Sequence, residues 1–135
     1  MRGFDYHVDT LCRRDPAISA IVARHGRPRY PRRAAGVKGL VRIILEQQVS
    51  MAAAYTLYRR LDAALGGITA KKLAETGQPG LRALGLTRQK ARYCHTLGAA
   101  VHSRQLSLTG IARLPDEAAM AALVTMPGIG AWSAA

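Results

Sequence analysis

Leu-Val-Thr-Met-Pro-Gly-Ile-Gly-Ala-Trp-Ser-Ala-Ala, Leu123 to Ala135, is the stretch from which the rest of this 135-residue chain can be read. Upstream of it, Pro115-Asp116-Glu117 marks a helix start, with acidic side chains complementing the positive helix N-terminus. Met120, Leu123 and Val124 form that helix's apolar face, and it ends at Met126-Pro127-Gly128-Ile129-Gly130. Ala131 to Ala135 is the opening turn of another helix. Between the two, Gly128 and Gly130 can take positive φ angles and carry no Cβ. Successive backbone N–H groups can therefore converge on one anion beside a helix N-terminus, which makes a phosphate grip. Ile129 is expected to point the other way and pin the turn to the core. By itself a Gly-x-Gly turn is a weak signal, because glycines end many helices.

Working outward, apolar positions recur at three and four residues and alternating runs are absent, so the chain is expected to be all-α. Asp15-Pro16 reads as an N-cap and first-turn proline for a helix with Ile18, Ile21 and Val22 on its face, closed by Gly26. Arg24, Arg27, Arg29, Arg32, Arg33 and Lys38 then crowd around Pro28 and Pro31. That segment could follow a phosphate backbone or be a solvated loop. Val37, Leu40, Val41, Ile44, Leu45 and Val49 line the clearest stripe, with Lys38, Arg42 and Glu46 mostly pointing away. Ser50 caps a following helix bearing Tyr55, Tyr58, Leu61 and Leu65, ended by Gly66-Gly67. Thr69 caps a short helix through Leu73, a shorter one spans Pro79 to Leu84 before Gly85, and Thr87 starts a longer one using Ala91, Cys94, Leu97 and Val101.

Lys and Arg outnumber Asp and Glu by 20 to 8, a formal charge of +12 that calls for an anionic partner. Hydrophobic residues make up 49% of the chain, which excludes a basic disordered tail and indicates a packed domain with a positive face. Nucleic acid leads as the partner, although an Arg- and Ala-rich composition can also reflect genome-wide bias. Cys12 and Cys94 stand far apart without metal-like spacing, so neither a zinc site nor an iron–sulfur cluster is expected, and both read as free thiols. No apolar leader follows Arg2 and no window is long enough to span a membrane, so a cytoplasmic protein is expected.

The string from Leu123 to Ala135 resembles the hairpin of helix-hairpin-helix DNA glycosylases, usually leucine-proline-glycine-isoleucine-glycine followed by a Trp-Thr-Ala helix. Met126 and Ser133 are mild departures. Three further stretches fall in the family's order: Ile43-Ile44-Leu45-Glu46-Gln47-Gln48-Val49-Ser50-Met51-Ala52-Ala53-Ala54, Leu84-Gly85-Leu86-Thr87-Arg88-Gln89-Lys90-Ala91, and Leu114-Pro115-Asp116-Glu117. Together they cover about Gly36 onward, dividing the chain into an N-terminal helix and basic linker over 1–35 and a partial glycosylase domain over 36–135. The branch that it looks most like excises alkylated purines such as 3-methyladenine. Trp132, and the lack of a lysine in the hairpin's second helix as far as it runs, set it apart from the mismatch-adenine and pyrimidine-oxidation branches.

The resemblance implies double-stranded DNA as partner and extrusion of a base from the stack, at a cost of about a few kcal/mol, with a side chain filling the gap. Gln48, with Gln47 behind it, takes that wedge position, and Ser50 belongs to the same DNA-facing turn. The two glutamines could instead cap the helix C-terminus or cross-bond the turn. The amides of Gly128 and Gly130 would grip the backbone, with Ile129 between them counted in the same DNA-binding turn, in the family often with a monovalent cation and with no other cofactor or metal. Arg88 and Lys90 look like further phosphate contacts, and a solvated face is the alternative. Tyr55, Tyr58 and Trp132 could line a pocket in which electron-poor alkylated bases stack, or belong to the core. The family's catalytic Asp lies beyond the hairpin's second helix, so it is expected after Ala135. No Asp or Glu in this chain matches it. A fragmentary or frameshifted reading frame, or pairing with a second polypeptide, would account for that. A five-residue final helix cannot hold itself in water, so exposed apolar surface and marginal stability are expected. Without the carboxylate the alternative function is a non-catalytic DNA-backbone clamp.

Overall fold

A helix start leaves backbone N–H groups unpaired, and this chain supplies short polar side chains to take them. In the computed structural model, which describes residues 3–29 and 33–135, Asp15 accepts from the amides of Ala17 and Ile18, Ser50 from Ala53, Thr69 from Lys72 and Thr87 from Lys90. Among the described residues there are nine helices and no strand, an all-α fold. They are α1 (Phe4–Arg14), α2 (Pro16–His25), α3 (Val37–Glu46), α4 (Met51–Ala64), α5 (Ala70–Ala83), α6 (Arg88–His102), α7 (Leu108–Ile111), α8 (Asp116–Val124) and α9 (Ala131–Ala134). None of the described helices is long and apolar enough to cross a membrane.

The chain separates into two units, Met1–Arg33 and Ala34–Ala135. In the first, α1 precedes the helix expected at Asp15 and has no side-chain cap, which is why its start is silent in the sequence. The stripe expected on α2 is not a core face: Ile21 is 59% exposed and no residue of α2 is buried. Of the basic segment, Arg27 hydrogen-bonds Asp9 and pairs with Asp5 at 3.6 Å. Arg2, Pro31 and Arg32 lie outside the described residues.

The second unit has a core of Val41, Ile44 and Leu45 from α3, Leu61 from α4, Leu73 and Leu81 from α5, and Ala91, Cys94, Leu97 and Ala100 from α6. α5 and α6 approach almost to backbone contact. A Cβ on Gly98 would lie 2.5 Å from Leu73 Cβ and 2.9 Å from Ala70 O, so only glycine fits. α5 is itself broken at Gly77 (φ 67), which gives the two short segments expected before and after it. Val49 leaves the predicted stripe. α3 ends at Glu46, the extended Gln47 turns the chain outward, and Val49 is 44% exposed. Glu46, expected on the outer face, is only 11% exposed, with its carboxylate accepting from Arg42 Nε at 2.9 Å. Val124, expected on the inner face of α8, is 42% exposed.

Candidate nucleic-acid interface

The hairpin between α8 and α9 is held from the inside. Ile129 is buried at 3% exposure, as its place between two glycines predicts. Its N–H donates to Met126 O at 3.1 Å, so the amide of Ile129, a residue of the expected DNA-binding set, is committed within the turn. Gly128 needs its missing side chain twice over. Its φ is +87°, and a Cβ there would stand within 2.8 Å of Tyr93 Cε2. Gly130 needs it in neither sense, which corrects the expectation of a second positive φ: it is extended at φ −89°, ψ 178°, with open space where a Cβ would be. Among the described residues, no partner accepts from the N–H of Gly128 or Gly130.

Opposite the hairpin, the turn from α3 to α4 is fastened at both ends. The last carbonyls of a helix lack intrahelical donors. Leu45 O accepts from Lys90 Nζ at 2.7 Å, across from the first turn of α6. Two residues on, Gln47 reaches out and donates from Nε2 to Gly128 O at 2.7 Å, joining this turn to the hairpin. Gln48 follows with φ +56°, a left-handed conformation uncommon for a side chain of that size, and is exposed. Ser50, also exposed, accepts from Ala53 N as the cap of α4.

Between the two turns runs a groove of about 850 Å³. It gathers Gln47, Gln48, Arg88, Lys90, Gly128, Ile129 and Gly130 from the predicted set, and among the described residues no Asp or Glu lines it. Lys90 is not the free phosphate contact expected of it. The residue is 9% exposed and its ammonium is already hydrogen-bonded to Leu45 O. Burial pushes this ammonium below its ordinary value, partly opposed by Cys94, while burial pushes the Cys94 thiol up to about 12. Tyr55, Tyr58 and Trp132 do not line the groove. Tyr58 packs against the core, Tyr55 lies under Arg59 at 6.0 Å, and Trp132 is 95% exposed. Tyr93 is the site residue missed in the sequence. It supports Gly128, accepts from Gln89 Nε2 at 2.7 Å and carries the Arg92 guanidinium 5.3 Å from its ring. Its i,i+4 spacing from Gln89 was visible, but nothing local pointed to the hairpin.

Residues 41–128, which include the turn, the groove wall and the start of the hairpin, match the family described as HhH-GPD superfamily base excision DNA repair protein. The chain belongs to the HhH-GPD superfamily. Solved structures similar to this HhH-GPD chain include a DNA-3-methyladenine glycosidase from Bacillus halodurans, at 26% identity and TM-score 0.71, covering 89% of this chain and 61% of that one. A 3-methyladenine DNA glycosylase from Archaeoglobus fulgidus shares the fold at 23% identity and TM-score 0.70, over 89% of this chain and 44% of that one. So does a 3-methyladenine DNA glycosylase from Schizosaccharomyces pombe in complex with abasic DNA, at 23% identity and TM-score 0.74, over 89% and 62%. The HhH-GPD chain thus spans 44% to 62% of the length of these relatives. No curated protein sequence matches it.

Proposed function

We propose that this chain supplies the DNA-gripping and base-extruding part of a glycosylase that releases alkylated purines of the 3-methyladenine type from double-stranded DNA, in the cytoplasm. One observation carries the reading: the exposed, left-handed Gln48 and the unpaired amides of the Gly128 hairpin border the same groove, joined by the Gln47 bridge to Gly128 O. The amides of Gly128 and Gly130 would hold a backbone phosphate, with Arg88 beside them and the Ser50 hydroxyl on the opposite turn. Such contacts position the protein without reading sequence. Gln48 would fill the space left by the extruded base, and its long polar side chain can pair with the orphaned partner base. Of the aromatic residues, Tyr55 and Trp132 are open to stack on a base. Tyr58 is committed to the core.

No further cofactor enters this reading. A monovalent cation at the hairpin would need backbone carbonyl oxygens. Met126 O and Gly128 O already accept hydrogen bonds, whereas Pro127 O and Ile129 O accept none among the described residues. Those two would hold the ion, and it would bridge the turn to a phosphate. This reading assigns no residue of the groove to the carboxylate that stabilises an oxocarbenium-like sugar.

The groove's lack of any Asp or Glu favours a second reading, a DNA clamp without chemistry. Anisotropy titrations with duplexes containing an abasic analogue, run alongside release of 3-methyladenine from methylated DNA, separate the two. Tight, salt-sensitive binding with base release supports the glycosylase, and binding without release supports the clamp. Absence of both overturns the DNA interface itself.

A further inference from the structure

Lys90 is a costly residue to place where it is. It lies in the first turn of α6, where a cation opposes the helix dipole, and its ammonium is withdrawn from water. What it gains is Leu45 O at 2.7 Å, in the last turn of α3, where a cation is favoured and a carbonyl is otherwise unpaired. Leu45 is two residues before Gln47 and three before Gln48. A second long-range hydrogen bond of this turn runs from Gln47 Nε2 to Gly128 O. Gly128 in turn rests on Tyr93, three residues from Lys90 on α6. One face of α6 therefore touches both DNA-facing turns: Lys90 the one that carries Gln48, Tyr93 the one that carries the hairpin.

We propose that Lys90 is a positioning residue for base extrusion, fastening the end of α3 so that Gln48 stays in its left-handed, outward conformation at the spacing from the hairpin that Gln47 bridges. The proposal rests on the DNA-binding reading given above. It assigns Lys90 no contact with DNA: its ammonium donates to a main-chain oxygen inside the protein. A left-handed Gln at an exposed turn is intrinsically disfavoured and persists only where neighbouring contacts hold it. Removing the Leu45 contact leaves a buried carbonyl unpaired and frees the turn to relax.

The test compares Lys90→Met and Lys90→Arg with the unaltered chain in two measurements. In free protein, amide hydrogen exchange at 47–50 should speed up about tenfold or more in Lys90→Met, beyond any change at α5 and α6 amides, and return toward the original rate in Lys90→Arg, which retains a charged donor. With DNA, 2-aminopurine fluorescence beside an abasic analogue reports unstacking separately from affinity. Lys90→Met should lose about tenfold of the fluorescence gain at saturating protein while affinity for undamaged duplex falls by less than about threefold. Unchanged exchange at the turn, or fluorescence and affinity that fall together, overturns the proposal. Should Lys90→Met not fold, Lys90→Arg decides: retention of both signals supports it and loss of both refutes it. If the unaltered chain neither binds nor unstacks DNA, the DNA reading fails, and the exchange measurement alone still shows whether Lys90 holds the turn.

Discussion

α6 and α8 differ in opposite senses in composition and in burial. α6 mixes Arg88, Gln89, Lys90, Arg92 and two histidines with its apolar residues, yet buries Lys90, Ala91, Cys94, Leu97, Gly98 and Ala100. α8 has only Asp116 and Glu117 as polar residues among its nine, and buries none. The difference lies in arrangement. The buried positions of α6 recur at three and four residues and form one stripe, which lies along α5. The apolar residues of α8 surround the helix and favour no face, and small alanines make up much of them. Apolar content alone does not decide what is buried. A stripe that matches a partner does.

The largest expected effects test that contrast directly. Leu97→Ala should cost about 2–5 kcal/mol of unfolding free energy by opening a cavity at a fully packed site. Gly98→Ala should cost about 1–3 kcal/mol or more by forcing α5 and α6 apart. Leu123→Ala on α8 should cost less than about 1 kcal/mol. Urea denaturation of the three variants checks the order, and a Leu123→Ala cost equal to that of Leu97→Ala would break the comparison.

The hairpin after α8 sharpens it, because there the weakly buried segment is held by α6 at one point. Gly128→Ala should lose about 1 kcal/mol or more, since the new methyl group meets the Tyr93 ring at a positive φ. Gly130→Ala, extended with free space around it, should stay within about 0.5 kcal/mol. Equal losses in the two would mean that Tyr93 does not locate the hairpin.

A smaller effect comes from ionisation within the α6 stripe. The Cys94 thiol is pushed to about 12 in the folded protein, from an ordinary 9.0. Between those values the unfolded chain binds fewer protons than the folded one, so stability is full below pH 9 and falls as pH rises toward 12. Lys90 shifts downward and titrates in the opposite sense, so the Cys94 contribution is the difference between the unaltered protein and Cys94→Ala in melts across that range. No divergence between them above pH 9 would show that Cys94 is not shielded from water. The smallest effect belongs to Arg88, exposed at the start of α6. Arg88→Ala should leave stability unchanged and lower the salt slope of DNA binding by about 1, and an unchanged slope would remove Arg88 from the interface.

Reading the chain alone settled the features that depend on neighbours within one helical turn. Asp15, Ser50, Thr69 and Thr87 cap their helices because a short oxygen-bearing side chain reaches an amide two or three residues ahead, whatever the rest of the fold does. The all-α class, the core positions of α3 and α6 and the inward Ile129 were legible for the same reason: each is written in local spacing. The superfamily was legible through the resemblance of four ordered stretches to a known family. The uncapped α1 carried no such mark. Only the tertiary structure decided what the long side chains do. Lys90 meets Leu45 across 45 residues of chain and Gln47 meets Gly128 across 81. Both partners are main-chain oxygens, which leave no trace in the identity of the residue that bears them. Tyr93 under Gly128, the extended Gly130 and the exposed Val49 were likewise hidden. Each depends on where another segment packs, and local spacing carries no record of that.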